Sequence, residues 1–526
     1  MMTPAKPKRD EPYTAERVAQ ACAAMLVVIL AAAILANSMM KPVSRDEHMY
    51  CSAGVLLEQG RSIYRDFAYP SQLPYHPLLL RILYSVLPTS RYLLVGRMVS
   101  VLCNLGVVAL ILAIYRRAFG AHKQTGRWLG FAAVILYTFN PVVAYTNGFA
   151  WNHDVVTLCV VLSFWLFACT DFRRGPHPWR LASMGALLTF ATCMRVTTVL
   201  AGAVFLAAIP VAAGGSIRHR VRTALPFIIA GVLMLLWPLW TVMQAPRAAW
   251  LNLVRIPALY GRWLHELGLA YDKMSLTIDC LTTPGYLSVL ALTGCLGAVL
   301  LMRRSRLDGT MRRDLLVAAA LAAVFCLVAF IPPTMWHQYW AVPVPFLLIV
   351  CAYPIAALRH AADETGGRRS FRVACGLAVV AATVAVVANL NVLRRLPAVL
   401  VPERWAPVML HDVATDVARK TAGHGPVLTL GPLYALEGGC DIYRELASGS
   451  IIYRVADMMS VEDRRITHTV GLGTLGALVD QSPPSAVILG VEPAHFSYLE
   501  EPLFQAVGPG WLCEVHEHGI EVYFRP

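Results

Sequence analysis

The sequence predicts a mainly α, polytopic membrane protein with a small C-terminal α/β domain, and three observations predict it. Apolar residues make up 57% of the 526-residue chain and charged residues only 15%, against roughly one-quarter charged in a soluble domain. The mean hydropathy is +0.56, and the apolar residues are gathered into runs of about twenty, the length that crosses a bilayer. The Lys and Arg behind the net charge of +13 lie in short clusters between those runs, which is the positive-inside pattern. In a soluble chain such a charge would suggest nucleic acid, but no nucleic-acid-binding motif accompanies the clusters, so no nucleic-acid partner is expected.

Taken in order, residues 1–18 read as a polar, basic cytoplasmic tail and 19–40 as a first span. No small-residue cleavage site precedes the carboxylates that follow, so the span reads as uncleaved. Residues 41–91 form a first outer loop, with a half-buried segment at 78–87. Span 92–115 returns to the basic cluster Arg116, Arg117, Lys123 and Arg127; 128–146 goes out, 147–153 turns, and 154–168 comes back to Arg173, Arg174 and Arg180. The block 179–213 is too long for one straight span and is interrupted at Cys193, Met194 and Arg195. Both its flanks are basic, so it reads as a helical hairpin turning near Arg195 on the outer side. Span 225–243 leads to a second outer loop, 244–283. Spans 284–302, 315–332, 339–358 and 373–393 follow, for about eleven crossings with the C-terminus outside. The alanine- and arginine-rich usage fits a bacterial inner or plasma membrane.

From residue 394 the apolar residues become periodic. Residues 405–421 read as an amphipathic helix, 426–430 and 486–491 as strands, and 514–524, with Gly519 at its centre, as a hairpin. Residues 394–526 are therefore expected to be a separate extracytoplasmic α/β domain, long enough to hold a core. The thirteen cysteines fall mostly inside spans without a CxxC pair and read as packing residues. Cys440 and Cys513 lie in the tail and could pair if it is outside the cytoplasm.

The chemistry points to residues 44–77, SRDEHMYCSAGVLLEQGRSIYRDFAYPSQLPYHP. Asp46 and Glu47 stand beside an apolar span. Charge there is costly unless it faces a wet cavity or a partner, although the pair could also end the helix in the headgroup layer. Tyr64, Arg65, Asp66, Tyr69 and His76 crowd the same loop with groups that donate, accept or stack, more than a simple connection needs. The pattern DE-x-x-Y-x-x-A/S-x-x-L-L-x-x-G-x-x-x-Y-R-D-F with its Pro/Tyr-rich turn resembles the first outer loop of GT-C membrane glycosyltransferases. It is most similar to the protein-mannosyltransferase and aminoarabinose-transferase branch. The resemblance implies a GT-C-like fold and a sugar donor carried on a polyprenyl phosphate. The acceptor would be a lipid, glycan or protein on the outer face, and the resemblance implies transfer with inversion.

Glycosyl transfer to a hydroxyl or amine needs a base, and a carboxylate in a poorly solvated cleft suits it. The resemblance puts that acid at Asp46; Glu47 is the alternative. It puts a second acid at Asp154, which at a helix start could equally be a cap. Together Asp46 and Asp154 could hold a divalent ion through oxygen ligands, although no motif requires a cofactor. Donor phosphate calls for positive charge. Arg195, in an otherwise apolar hairpin, is the leading contact, with snorkelling to the headgroups as the plain alternative. His337 and Tyr339, in PPTMWHQYW, are a second candidate pair; Trp336 and Trp340 fit an aromatic belt. Arg255 could complete the pocket, or 255–267 could be an interfacial amphipathic helix. Nucleotide-type glycine motifs are missing where a strand and helix could use them, so no nucleotide-sugar site is expected. A lipid-linked-sugar transporter, built on broken helices, and a non-catalytic assembly protein are the rival readings.

Overall fold

The computed structural model describes residues 11–172, 174–270, 272–303, 307–364, 368–421 and 425–526. Residues 1–10 of the expected tail, and parts of three expected basic loops, lie outside the described residues. The chain is a multi-pass membrane protein, mainly helical, with a four-stranded sheet near its C-terminus.

Helix α1 (Glu11–Met39) runs unbroken through the expected boundary at residue 18. Two short helices, α2 (Arg45–Glu58) and α3 (Tyr75–Val86), then pack on each other. Their contact depends on Gly54, where a Cβ would stand 2.8 Å from the Leu80 Cβ. Next come α4 (Tyr92–Ala118), α5 (Lys123–Phe139), the short α6 (Pro141–Thr146) and α7 (His153–Ala168). Asn140 starts α6, its side chain accepting from the Val142 and Val143 amides at 3.0 and 3.3 Å, which satisfies donors the helix cannot.

Helices α8 (Pro178–Thr192) and α9 (Val199–Ala213) are separated by a break, and it falls at the predicted place. Arg195 is extended there (φ −148°, ψ 101°) ahead of a 3-10 turn. Helix α10 (Ile217–Gln244) lies along α8 so closely that a Cβ on Gly185 would reach 2.0 Å from the Phe227 carbonyl oxygen. The stretch expected as a second outer loop is itself helical: α11 (Pro246–Trp250), a π-helical turn (Leu251–Arg255), α12 (Ile256–Glu266) and α13 (Lys273–Thr282). Helices α14 (Pro284–Arg303), α15 (Gly309–Val328), α16 (Pro343–Glu364) and α17 (Arg368–Ala388) complete the bundle.

Seven helices among the described residues are long and apolar enough to cross a membrane, against the eleven crossings expected. The other expected crossings fall on α5, α7, α8 and α15. The first three have 17, 16 and 15 residues, and α15 carries Arg312, Arg313 and Asp314 in its opening turns.

After the short α18 (Leu390–Arg394), α19 (Ala406–Thr421) is the amphipathic helix read from the sequence. Strands β1 (Val427–Thr429), β2 (Ala486–Leu489), β3 (Leu512–Val515) and β4 (Glu521–Phe524) make a sheet of order β1-β2-β4-β3. β1 and β2 are parallel, with Val427 opposite Ala486; β2–β4 and β3–β4 are antiparallel. Gly519, at φ +75°, supplies the left-handed turn of the predicted hairpin.

The tail shares its core with the helices below it. Val55 of α2 and Leu80 of α3 cluster with Leu410, Val417, Ile488 and Val522 of the tail. A second cluster joins Ile256, Leu259 and Trp263 of α12 to Leu428, Tyr453 and Phe496. The apolar face of α12, expected to lie in the membrane interface, is thus covered by the tail. Cys440 and Cys513 are unpaired thiols: Cys440 lies beside the Thr421 hydroxyl and Cys513 is exposed on β3.

Candidate active site

Asp46 and Glu47 are adjacent in the chain, and α2 aims them at different surroundings. The Glu47 carboxylate is fully buried against the Arg97 guanidinium of α4. Arg97 donates Nε to Oε1 and Nη2 to Oε2, both at 2.8 Å, and its remaining N–H groups reach the carbonyls of Ser38, Lys41 and Pro42 at 2.8–3.1 Å. Glu47 also accepts the Ala150 and Ser44 amides at 2.8 Å each. Arginine has five N–H donors and a carboxylate about four acceptor positions. Both sets are filled. Glu47 therefore ties α1, α2, α4 and the turn before α7 together, and has no acceptor position left over.

Asp46 stands in the first turn of α2, half-buried and without a hydrogen bond among the described residues. Crowding by protein pushes its carboxyl above the ordinary range, and the neighbouring Glu47 charge adds to this; Arg45 and Arg454 pull the other way. Arg454 comes from the tail. It is buried in an ion pair with Glu492, lies 4.3 Å above the Phe496 ring, and donates Nη1 to the Tyr260 hydroxyl at 3.1 Å. Arg45 approaches the same Glu492 at 4.0 Å. The tail thus brings a guanidinium to within electrostatic reach of Asp46.

On the other side of Asp46 lies Tyr50. Its ring meets His76 at 4.8 Å and Tyr69 at 6.1 Å, both edge-on. Burial raises the Tyr50 phenol, the Asp46 charge raises it further, and Arg195 opposes. Asp46 and Arg195 therefore face one hydroxyl from two elements. Arg195 itself is held over the Tyr339 ring at 4.8 Å, with Nη1 3.1 Å from His153 Nδ1. Asn152, next along, bonds the Met194 carbonyl at 2.6 Å, so the start of α7 anchors the break that carries Arg195. Arg195 and Tyr339 also line a narrow cleft walled by Val156, Phe325, Val328 and Val342: a cationic, hydroxylated head on an apolar slot.

Asp154 is buried one residue beyond His153. Its Oδ2 accepts the Gly148 amide at 2.7 Å, while Oδ1 has no donor. It holds the preceding turn rather than capping its own helix. The Lys41 ammonium is close enough to feel its charge and is bonded to the Tyr145 and Asn147 carbonyls at 2.8 and 2.6 Å. Burial brings Lys41 down to about 7, with Asp154 opposing that fall.

The remaining expected residues take plainer positions. Tyr64, at φ +66°, is buried and donates to the Gln72 carbonyl at 2.6 Å. Arg65 and Asp66 pair on the surface at 2.9 Å, and Asp66 also accepts the Ser62 amide. These three make their side-chain hydrogen bonds within the loop itself. Tyr69 and His76 are buried beside Tyr50, with Tyr69 OH and His76 Nδ1 unpartnered; burial brings His76 down to about 3, so it is neutral. His337 shares a 3-10 turn with Tyr339 and sets its ring edge-on to Tyr145 at 5.7 Å. Arg255 is exposed at the end of the π-helical turn, without an ion pair among the described residues.

Sequence reading missed Arg97, Lys41 and Arg454. Arg97 carried the same signal as Arg195, an arginine inside an apolar span. Arg454 carried none, because its neighbourhood is made by chain segments hundreds of residues apart. Among the described residues, Asp416, Glu514 and His516 of the tail bring three metal-type ligand atoms within 4.8 Å, but Lys420 already bonds both carboxylates there.

No family model and no curated protein matches the chain. Among solved structures, the crystal structure of ArnT from Cupriavidus metallidurans bound to undecaprenyl phosphate aligns with a TM-score of 0.59 at 14% identity, over 96% of this chain and 98% of that one. The apo ArnT structure gives 0.57 over the same shares. The apo oligosaccharyltransferase of Archaeoglobus fulgidus gives 0.48 at 10% identity, over 96% of this chain and 74% of that one. The GT-C resemblance read in the sequence is thus matched by an ArnT-like fold over nearly the whole chain.

Proposed function

We propose that this chain is a membrane glycosyltransferase that passes a sugar from a polyprenyl-phosphate donor to a hydroxyl or amine acceptor on the face carrying α2 and the tail. The observation that carries the reading is that an unengaged, half-buried carboxylate, Asp46, and Arg195, stacked on Tyr339, act on the same Tyr50 hydroxyl. ArnT, whose fold the chain shares, has been crystallised with undecaprenyl phosphate, and the Arg195 guanidinium suits the phosphate of such a lipid.

In this reading the prenyl chain lies along the apolar wall and the phosphate accepts hydrogen bonds from Arg195. Asp46 takes the acceptor's proton as the acceptor oxygen or nitrogen bonds to the anomeric carbon. The bond from that carbon to the phosphate oxygen breaks on the opposite side, inverting the centre, and Arg195 offsets the charge left on the phosphate. Lys41 and Asp154 hold the turn that sets His153 against Arg195. The outer leaflet and a C-terminal domain outside the cytoplasm follow from the basic loops on the other face.

The test is transfer from a radiolabelled polyprenyl-phosphate sugar in membranes containing the native protein or Arg195→Ala. Loss of one charge-stabilising group is expected to lower kcat by about 10²–10³. Arg195→Lys should not restore it, because a point ammonium cannot both cover the Tyr339 ring and reach His153. Full activity in Arg195→Ala would remove the phosphate assignment, and no transfer by the native protein would remove the donor class.

The base has its own signature. Asp46 must be ionised to act, so the rate rises with pH through a carboxyl value lifted above the usual one and levels off beyond it. Arg45 opposes that lift. Arg45→Gln is therefore expected to shift the acid limb of the pH–rate profile to higher pH, leaving the plateau in place. A limb that stays or moves down would disconnect Asp46 from the profile.

A further inference from the structure

A large cavity lies apart from Asp46 and from the cleft behind it. Along α4, Arg97 and Arg117 are twenty residues apart, about 30 Å at 1.5 Å per residue, which is the thickness of a hydrocarbon slab. Arg97 marks the carboxylate face. At the Arg117 end, the last turns of α4, α7 and α9 and the first turns of α15 enclose a cavity of about 1060 Å³. That is at or above the upper end of the range of about 300–1,000 Å³ seen for small-molecule sites.

Its two ends differ in chemistry. The rim holds four guanidiniums, Arg117, Arg174, Arg312 and Arg313, and the Asp171 carboxylate, while the buried Asp314 pairs with Arg117 and Arg313. Arg313 bonds Asp314 at 2.7 Å and lies 4.9 and 5.2 Å above the Phe167 and Phe172 rings; Arg117 reaches the same carboxylate at 3.6 Å. Arg174 faces Asp171 at 3.7 Å on the surface. Arg312 is exposed and has no ion pair among the described residues. Away from the rim the wall is apolar, made by Val204, Ala208 and Val211 of α9 and Leu316 and Ala320 of α15. Val211 and Leu316 are 76% and 59% exposed, so the slot opens sideways, toward where the acyl chains of a bilayer would be.

We infer that this cavity binds an anionic phospholipid of the leaflet opposite the Asp46 site, with its phosphate at Arg312 and Arg313 and one acyl chain between α9 and α15. The excess of guanidinium over carboxylate at the rim selects the charge, since basic pockets between helices on the positive-inside face take anionic headgroups. The apolar side wall selects a lipid over a free anion. This assignment does not rest on the transferase reading.

The test uses the purified full-length protein in neutral detergent. Retention of phosphatidylglycerol, of phosphatidylcholine with the same chains, and of glycerol 3-phosphate is compared by native mass spectrometry. Phosphatidylglycerol is expected to be retained and the other two not. Arg312→Ala, on an exposed side chain, should weaken retention about fivefold, the contribution of one arginine near an anionic headgroup. Ala208→Phe, which fills the slot while leaving the rim intact, should also displace the lipid. Equal retention of phosphatidylcholine would make the cavity a non-selective groove, and equal retention of glycerol 3-phosphate a free-anion site. Unchanged retention in both variants would place the lipid elsewhere on the protein. Any of these three results overturns the inference.

Discussion

Asp46→Asn is expected to reduce sugar transfer by about 10²–10⁴, the contribution of a positioned general base, while the protein is expressed and unfolds as the native chain does. The two halves of that expectation have separate physical grounds. Asparagine cannot accept the acceptor's proton, so the chemical step loses its sink. Asp46 makes no hydrogen bond among the described residues, and its ionised form is disfavoured by burial, so an isosteric neutral side chain removes no support from the fold. Transfer from a labelled polyprenyl-phosphate sugar, alongside the thermal unfolding midpoint in detergent, reads both. Activity within a factor of two of the native enzyme would take Asp46 out of the mechanism.

The neighbouring substitution should behave in the reverse way. Glu47→Gln leaves the Arg97 guanidinium buried at 0% exposure with no charge to meet it. Breaking a buried pair from one side costs about 3–5 kcal/mol, a large share of the stability of an ordinary domain. A marked fall in the unfolding midpoint and poor membrane accumulation are expected, with activity per folded molecule retained. Glu47→Leu combined with Arg97→Leu should recover part of the loss, because no charge is then stranded. Recovery would be partial, since Arg97 also serves three carbonyls. Native stability in Glu47→Gln together with lost transfer would reverse the roles given to the two carboxylates.

Much of the fold was legible in the chain because it rests on local signals. The break at Cys193–Arg195 was readable from an arginine interrupting an apolar run between basic flanks, and α19 and the hairpin at Gly519 from their periodicity and turn chemistry. The long membrane helices were readable because unsatisfied backbone in hydrocarbon is too costly to leave any other choice. Crossing number was less legible: α5, α7 and α8 are shorter than a full span, and their place is set by neighbours rather than by their own length. The loop residues Arg65 and Asp66 stood out as polar groups in a crowded loop; that they pair with each other on the surface is visible only in the fold.

By itself, the sequence determined the membrane class, the order of helices, the unusual loop after the first span and the short list of carboxylates worth weighing. Only the tertiary structure shows that Glu47 is locked in an ion pair with Arg97 while Asp46 makes no hydrogen bond among the described residues. Neighbours on a helix point about 100° apart. Which of them finds Arg97, 50 residues on, and the Ala150 amide, 103 residues on, depends on how α2 packs against α4 and the turn before α7. The same packing brought Arg454 of the tail within electrostatic reach of Asp46 and joined the core of the tail to α2, α3 and α12. Hydrophobicity and periodicity are properties of adjacent residues and can be read along the chain; the environment of a charge is made by residues distant in it, and exists only once the chain has folded.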